Sequence, residues 1–404
     1  MTNSYDDSIR KVLFTLFGLT AVTTVIYPFV WLQFFSRIFG NTIISDFTIL
    51  SAFIAGIAAG AYLGGIFVDF RRHEFKTLMY LELATAISAI LLLLLFQFVS
   101  FIYRPIFHNL NQYTSMLKVI NFMIAFFFFL PLSGVIGAKF SVLGRYLIRS
   151  ENVIAQEMGI MFSSYIAGMI AGSFLLFPLK FLLGLHLLIM SGVLINLMIA
   201  AVIRFLSHKI SQPENIVAEF YDQNLKYFSN SGKFMSSSLI NFINISNGII
   251  SLVVISFILA LYITIFRIHQ LSVFNNGLVI IGILITVGAG ILISIRYIRE
   301  DRNLLFKSIF FKGIIGALIL VAVIYFPKII AFKYFINYSE KFDHGILNFS
   351  DILLIIAGPI FLFGILLPIM SKIYLTKFKQ IGKRVGSFYT SFFIGIIAGY
   401  ALAV

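Results

Sequence analysis

Two charged residues, Glu82 and Lys312, each fall inside a long apolar run, about two helical turns from one end of it. A charge in the hydrocarbon of a membrane costs about 2.5–3.5 kcal/mol on insertion scales, so such a residue is expected to pair, to change protonation or to face water. Glu82 therefore predicts proton coupling or cation binding, or else a structural ion pair with Arg145 or Lys139. Lys312 can also reach the membrane surface through its long side chain.

Uncharged polar side chains also recur within apolar runs. Asn241, Asn244 and Asn247 follow one another at three-residue spacing, with Ser246 beside them. Amides in lipid need partners, so this stripe predicts a cavity wall or hydrogen bonds between helices. The remaining polar candidates for a transport path are the tyrosines Tyr27, Tyr165 and Tyr389. The first of these, like Trp31, is alternatively an interfacial belt aromatic.

Motifs of soluble enzyme chemistry are missing from the sequence. There is no cysteine, which excludes disulfides and thiolate metal sites, and the six histidines are scattered. His73-Glu74 lacks the second histidine of a zinc protease helix, and Gly288-Ala-Gly290 has neither a third glycine nor a flanking strand. The sequence therefore predicts no catalytic residue, no metal site and no cofactor.

Composition decides the class of protein. Of 404 residues, 60% are hydrophobic and 11% are charged, which excludes a soluble domain because its surface needs more polar side chains. Several apolar runs exceed the roughly 18 residues that a helix needs to cross a bilayer. The net charge of +14 comes from basic residues at the ends of these runs. The partner that they indicate is therefore the lipid bilayer and not nucleic acid.

Hydropathy predicts an all-α, polytopic membrane protein with about eleven transmembrane helices. The spans are 12–39, 46–68, 76–99, 117–142, 158–178, 181–205, 239–266, 277–297, 305–327, 349–371 and 386–404. With the N-terminus inside, the inner segments hold 21 Lys and Arg and the outer segments hold 8. Because basic loops resist translocation, this count predicts a cytoplasmic N-terminus in the plasma membrane of a prokaryote.

An internal repeat is visible in the small residues. A shift of 227 residues superposes Gly137 on Gly364, Gly168 on Gly395 and Gly172 on Gly399, and it places Arg145 on Lys372. Six spans separate the copies, so both have the same orientation, which is the arrangement of the major facilitator superfamily. The predicted parts are a first transmembrane repeat over 1–206, a polar cytoplasmic linker over 207–238 and a second repeat over 239–404. The pattern predicts a twelfth span beyond Val404.

Glycines at four-residue spacing predict close helix packing. Gly56, Gly60 and Gly64 lie on one face of the second span, and Gly168 and Gly172 lie on one face of the fifth. Small residues let membrane helices approach closely, and the same face also suits helices that slide during alternating access. The equivalent packing positions near the end of the chain are Gly395 and Gly399.

Several segments resemble the membrane half of the fused transporter-like spermidine synthases. They include YPFVWLQFFSRIFG (27–40), FIAGIAAGAYLGGIFVDFRR (53–72), GAKFSVLGRYLIR (137–149) and GIMFSSYIAGMIAG (159–172). The soluble synthase half of that family is missing from the chain. The resemblance therefore implies a facilitator-like fold and an amine or a related metabolite as solute, without synthase activity.

The segment 65–72, GIFVDFRR, resembles the facilitator loop between spans two and three. The resemblance implies that Asp69 caps a neighbouring helix and pairs with arginines, so that Asp69, Arg71 and Arg72 latch the inner gate. Ordinary loop charge is the alternative. Arg145 and Lys372 follow helices that line the cavity in the facilitator fold, where they could contact an anion, although cytoplasmic loop charge also explains them.

Two functions remain open from the sequence. The first is transport of a small-molecule substrate by alternating access between the two repeats. The second is a membrane anchor or scaffold, without transport of its own, for a separate synthase-like or other protein partner.

Overall fold

The protein is helical throughout the part of the chain that the structure describes. This computed structural model describes residues 2–40, 42–69, 74–110, 112, 114–148, 154–209, 237–269, 273–297, 304–340, 349–375 and 381–403. The helices are α1 (Thr2–Phe39), α2 (Ile43–Asp69), α3 (Glu74–Leu110), α4 (Thr114–Leu147), α5 and α6 (together Ile154–Lys209), α7 (Ser237–His269), α8 (Val273–Tyr297), α9 (Leu304–Glu340), α10 (Phe349–Tyr374) and α11 (Ile381–Ala403). Residues 210–236 of the predicted linker lie outside the described residues.

Helices α5 (154–183) and α6 (185–209) meet at Gly184. This residue has φ 72° and ψ 177°, a conformation that side chains other than glycine rarely adopt. Contacts with α1 show that the chain reverses at Gly184. Residues 164 to 172 of α5 run parallel to α1, alongside its residues 14 to 22. Residues 186 to 196 of α6 run antiparallel to α1, alongside its residues 34 to 23. The break therefore separates the predicted fifth and sixth spans.

Several helices are longer than the predicted spans. The helix α1 begins at Thr2 and not at residue 12, and α4 runs to Leu147 and not to residue 142. Hydropathy detects only the part of a helix that suits hydrocarbon, and these helices continue beyond that part. Within the described residues, ten segments are long and apolar enough to cross a membrane, and the segment Ile281–Arg296 of α8 is shorter.

Small residues hold α2 against α4. A Cβ added at Gly60 would overlap the backbone of Gly134, and one added at Gly64 would meet Ala138. Gly56 lies one turn earlier on the same face, against Ser133. The predicted packing face of the second span thus lies on α4, where bulkier residues would force the backbones apart.

The second half repeats the α1–α5 contact of the first. A Cβ at Gly168 would overlap the carbonyl group of Gly18, and a Cβ at Gly395 would overlap that of Gly248. Equivalent residues of α5 and α11 differ in number by 227, as the sequence repeat requires, whereas equivalent residues of α1 and α7 differ by 230. Gly172 and Gly399 lie one turn further along the same contacts.

The α2–α4 contact is repeated by α8 and α10 with the same two offsets. A Cβ at Gly137 would overlap the carbonyl group of Ile57, and one at Gly364 would overlap that of Val287. Since 287 is 57 plus 230 and 364 is 137 plus 227, positions in the two halves can be paired residue by residue. The offset of 230 also holds for α3 and α9, because Ser88 lies against Pro131 and Leu318 lies against Gly358. Glu82 is therefore paired with Lys312, and Phe17 with Asn247.

The halves meet along two antiparallel helix pairs, α2 with α11 and α5 with α8. Along the first seam the hydroxyl of Thr390 donates to the carbonyl oxygen of Ala58 at 2.9 Å. Along the second, Gly288 lies against Ile166. The odd-numbered helices begin at one end of the bundle, which we call the basal end, and the even-numbered helices end there.

Candidate functional site

The buried carboxylate of the first half is part of an ion pair. Lys139 on α4 donates to Glu82 on α3 at 2.8 Å, and the hydroxyl of Thr20 on α1 donates to the other carboxylate oxygen at 2.8 Å. All three residues are buried, and Lys139 is only 1% exposed. The pair joins three helices of one half and is satisfied without a solute or a bound proton.

A second polar group lies beside this pair, between α1 and α6. The amide nitrogen of Asn196 donates to the hydroxyl oxygen of Tyr27 at 2.6 Å, and its amide oxygen accepts from Thr23 at 3.2 Å. Tyr27 and Trp31 are fully buried, so the interpretation of both as interfacial belt aromatics is wrong. Trp31 instead packs among phenylalanine rings of the first half, because α3, α4 and α6 surround this part of α1.

Asp69 joins the halves at the basal end. Its carboxylate accepts hydrogen bonds from the backbone N–H groups of Gly382 at 2.9 Å and Lys383 at 2.8 Å, and so caps the first turn of α11. The guanidinium of Arg145 lies 3.9 Å from the same carboxylate. Arg71 and Arg72 lie outside the described residues. The contact therefore connects the end of α2 and the end of α4 to the start of a helix from the other half.

Aromatic rings from both halves pack together between the seams. We call this cluster the aromatic centre, and its members are Phe17, Phe140, Phe162, Tyr165, Tyr389 and Phe393. Phe140 connects the halves, since its ring centroid lies 4.7 Å from that of Tyr165 on α5 and 4.7 Å from that of Tyr389 on α11. The predicted candidates Tyr165 and Tyr389 thus come together, and the hydroxyl of Tyr389 has no hydrogen-bond partner in the described part of the chain.

The three asparagines of α7 have different surroundings, because a three-residue spacing drifts around a helix. Asn241 is exposed. Asn244 accepts from the hydroxyl of Ser391 on α11 at 2.6 Å, so it serves packing between helices. Asn247 is 4% exposed, and neither its amide nitrogen nor its amide oxygen has a hydrogen-bond partner among the described residues.

The remaining charged candidates lie apart from the aromatic centre. Lys312 on α9 donates to the hydroxyl of Ser246 on α7 at 2.6 Å. Lys372 is half-buried in the last turn of α10. Glu82 and Lys312, although equivalent in the repeat, thus have a charged partner in one half and a neutral hydroxyl in the other.

Sequence reasoning named Lys139 only as one of two possible partners of Glu82. It counts this residue among the loop charges, because the hydropathy window ends the fourth span near residue 142, whereas α4 continues to Leu147. The signal that the sequence offered is that Lys139, Ser141 and Arg145 are close enough in the chain to lie on one continuous helix. Asn196, which is buried, was missed, although a polar side chain in the middle of a span is costly unless it has a partner. No group of His, Asp and Glu side chains within the described ranges could hold a metal ion.

The sequence matches no protein-family model, and a search of the curated proteins found no match. The structure is similar to solved structures of transporters. They include the major facilitator superfamily transporter FucP in the outward conformation (TM-score 0.54, 13% identity, covering 97% of this chain and 89% of that one).

Two further similar structures cover nearly the whole chain. The proton:xylose symporter XylE gives a TM-score of 0.57 at 16% identity, covering 100% of this chain and 88% of that one. A bacterial homologue of the iron transporter ferroportin, in an outward-facing state, gives 0.60 at 15% identity, covering 98% and 90%. The predicted all-helical membrane fold of two parallel repeats is confirmed, and the chain has the fold of the major facilitator superfamily transporters.

Proposed function

We propose that this protein transports a small solute across the plasma membrane of a prokaryote, by exposing a central site to each side in turn. The observation that carries the proposal is the boundary between the repeats. Two helix seams enclose the aromatic centre, where Tyr389, from the second half, is buried with its hydroxyl unpaired. A site shared by two halves that meet along seams is what alternating access requires.

The basal contact supports a gated pathway. Asp69 of the first half caps α11 of the second half. Separating the halves at this end therefore breaks these two hydrogen bonds, which are non-covalent and can form again. We propose that this end is cytoplasmic. Without Lys139, which is buried in α4, the inner segments still hold 20 basic residues against 8 outside (21 minus 1). No observation in the described part of the chain favours the scaffold alternative.

The fold leaves the solute open. Similar structures are named as a fucose:proton symporter, a proton:xylose symporter and a homologue of an iron transporter. The resemblance to the synthase-fused family implies an amine, and that link stays a prediction. The division into repeats over 1–206 and 239–404, with a linker between them, is likewise part of this proposal.

Accessibility of the centre tests the proposal directly. Because the chain contains no cysteine, an introduced cysteine is its only thiol. We expect Phe140→Cys, in the aromatic centre, to react with a membrane-impermeant thiol reagent from either side of reconstituted vesicles, since a transporter opens its centre to both. The matched control is Ala89→Cys, at a fully buried position of α3, which should stay unreactive. A Phe140→Cys protein that reacts from neither side would contradict transport.

A further inference from the structure

Asn247 occupies an equivalent place in the second half to that of Phe17 in the first. The ring of Phe17 lies 5.2 Å from that of Phe140 and 4.9 Å from that of Tyr165, so this face of α1 points to the aromatic centre. The repeat gives α7 the same relation to its own half, because Gly18 and Gly248 make the same contacts one residue further along. Asn247 therefore faces the middle of the molecule from the side opposite Phe17.

The unpaired buried polar atoms of α7 and α11 are all neutral within the described residues. Both amide atoms of Asn247 and the hydroxyl of Tyr389 lack a partner among the described residues, while the two side chains are 4% and 2% exposed. Buried polar groups are nearly always hydrogen-bonded, so unpaired ones need an explanation such as a bound molecule. An amide offers a donor and an acceptor side by side, which suits hydroxyl groups or another amide.

The charged side chains described above already have partners. Glu82 is neutralised by Lys139 at 2.8 Å, Asp69 caps α11 at the basal end, and Lys312 donates to the hydroxyl of Ser246 at 2.6 Å. A polyamine brings several positive charges, and burying them needs carboxylates that are free to pair. Aromatic faces attract cations, but they also cover the C–H faces of uncharged rings.

We propose that Asn247 and Tyr389 bind the transported solute, and that this solute is an uncharged ring compound bearing hydroxyl or amide groups. The inference rests on the transport function proposed above and names its substrate class. It differs from the amine that the family resemblance implies. The amide and the phenol make the polar contacts, and the rings of Phe17, Phe140 and Tyr165 contact the apolar face of the solute.

The test is the thermal unfolding of the purified full chain in detergent, with D-glucose and uridine as uncharged probes and with spermidine and citrate as charged ones. We expect a saturable upward shift of the unfolding midpoint with an uncharged probe and none with the charged probes. Asn247→Leu should raise the apparent Kd of that probe by about tenfold or more, because two hydrogen bonds are lost. Tyr389→Phe should weaken binding as well.

The variants also distinguish binding from structural support. Without a probe, Asn247→Leu should unfold at the same midpoint as the parent or at a higher one, because it removes unpaired atoms. The matched control is Asn196→Leu. It should lower the midpoint, since Asn196 bonds Tyr27 and Thr23, and should keep the probe shift.

Three results would overturn the proposal. One is the absence of a saturable shift with both uncharged probes, and another is a shift that persists in both Asn247→Leu and Tyr389→Phe. The third is a saturable shift with spermidine that Asn247→Leu abolishes, which would place the site correctly and refute the substrate class. Failure of the transport function itself gives a separate result, the lack of reaction of Phe140→Cys from either side.

Discussion

The ion pair of Glu82 and Lys139 gives the sharpest prediction about stability. Removing one partner of a buried pair leaves an uncompensated charge and costs about 3–5 kcal/mol, whereas replacing both by apolar residues is often neutral or stabilising by about 1–4 kcal/mol. We therefore expect Glu82→Leu and Lys139→Met each to destabilise the protein by about 3–5 kcal/mol. The double variant should be close to the parent.

Local geometry supports the recovery in the double variant. The hydroxyl of Thr20 loses the carboxylate but keeps the carbonyl oxygen of Leu16 as an acceptor at 3.2 Å. Within the described residues the pair loses no other hydrogen bond, because Lys139 and Glu82 bond to each other and Glu82 accepts from Thr20. Two single losses of about 3–5 kcal/mol each and a double variant near the parent imply an interaction energy of about 6–10 kcal/mol, above the usual range for residues in contact.

The measurement is a double-mutant cycle. Unfolding free energies of the four proteins are obtained by detergent titration in mixed micelles, followed by circular dichroism. If the double variant loses the sum of the two single losses, the pair is not a coupled unit and the structural account is refuted. A Lys139→Met protein as stable as the parent would also refute it, because the remaining carboxylate would then be tolerated alone.

Three further substitutions test other contacts. Asp69→Ala removes the cap of α11, worth about 1 kcal/mol, and should speed thiol labelling of a Val385→Cys reporter at the basal seam about fivefold; an unchanged rate would contradict the latch. Gly60→Val should lower the unfolding midpoint, because its side chain meets the backbone of α4, whereas Gly313→Val, with open space around it, should not. Lys312→Met should leave stability unchanged or raise it, in contrast to Lys139→Met, because Lys312 bonds only a neutral hydroxyl in the described structure; a loss of several kcal/mol in denaturant unfolding would indicate a hidden counter-charge.

The frame of the molecule could be predicted from the sequence because it depends on local composition. Hydropathy locates helices, and small residues at four-residue spacing mark the faces that pack. The offset of 227 residues found from the sequence reappears in the contacts of Gly168 with Gly18 and of Gly395 with Gly248. The second offset, 230, was not found, because α1 and α7 share few identical residues besides Gly18 and Gly248.

The partners of the polar residues could not be predicted in the same way. Glu82 had two proposed partners, Arg145 and Lys139, and choosing between them depends on how α4 is rotated about its axis. That rotation is set by the packing of α4 against α2, a contact between distant parts of the chain. Residue type also left a membrane-surface position open for Tyr27, whereas α6, which follows a chain reversal at Gly184, covers it.

The pairing of positions between the halves separates what serves the frame from what serves a particular function. Close-packing positions keep their character in both copies, as Gly18 and Gly248 do. Some polar positions do not: Glu82 is matched by Lys312, and Phe17 by Asn247. A residue needed only to pack two helices should be repeated wherever the same two helices meet. The unmatched polar residues therefore meet a requirement other than the packing of the duplicated helices. For Glu82 that requirement is the ion pair with Lys139, which has no counterpart in the described part of the second half. For Asn247 the amide is unpaired, so its partner is left to come from outside the described chain.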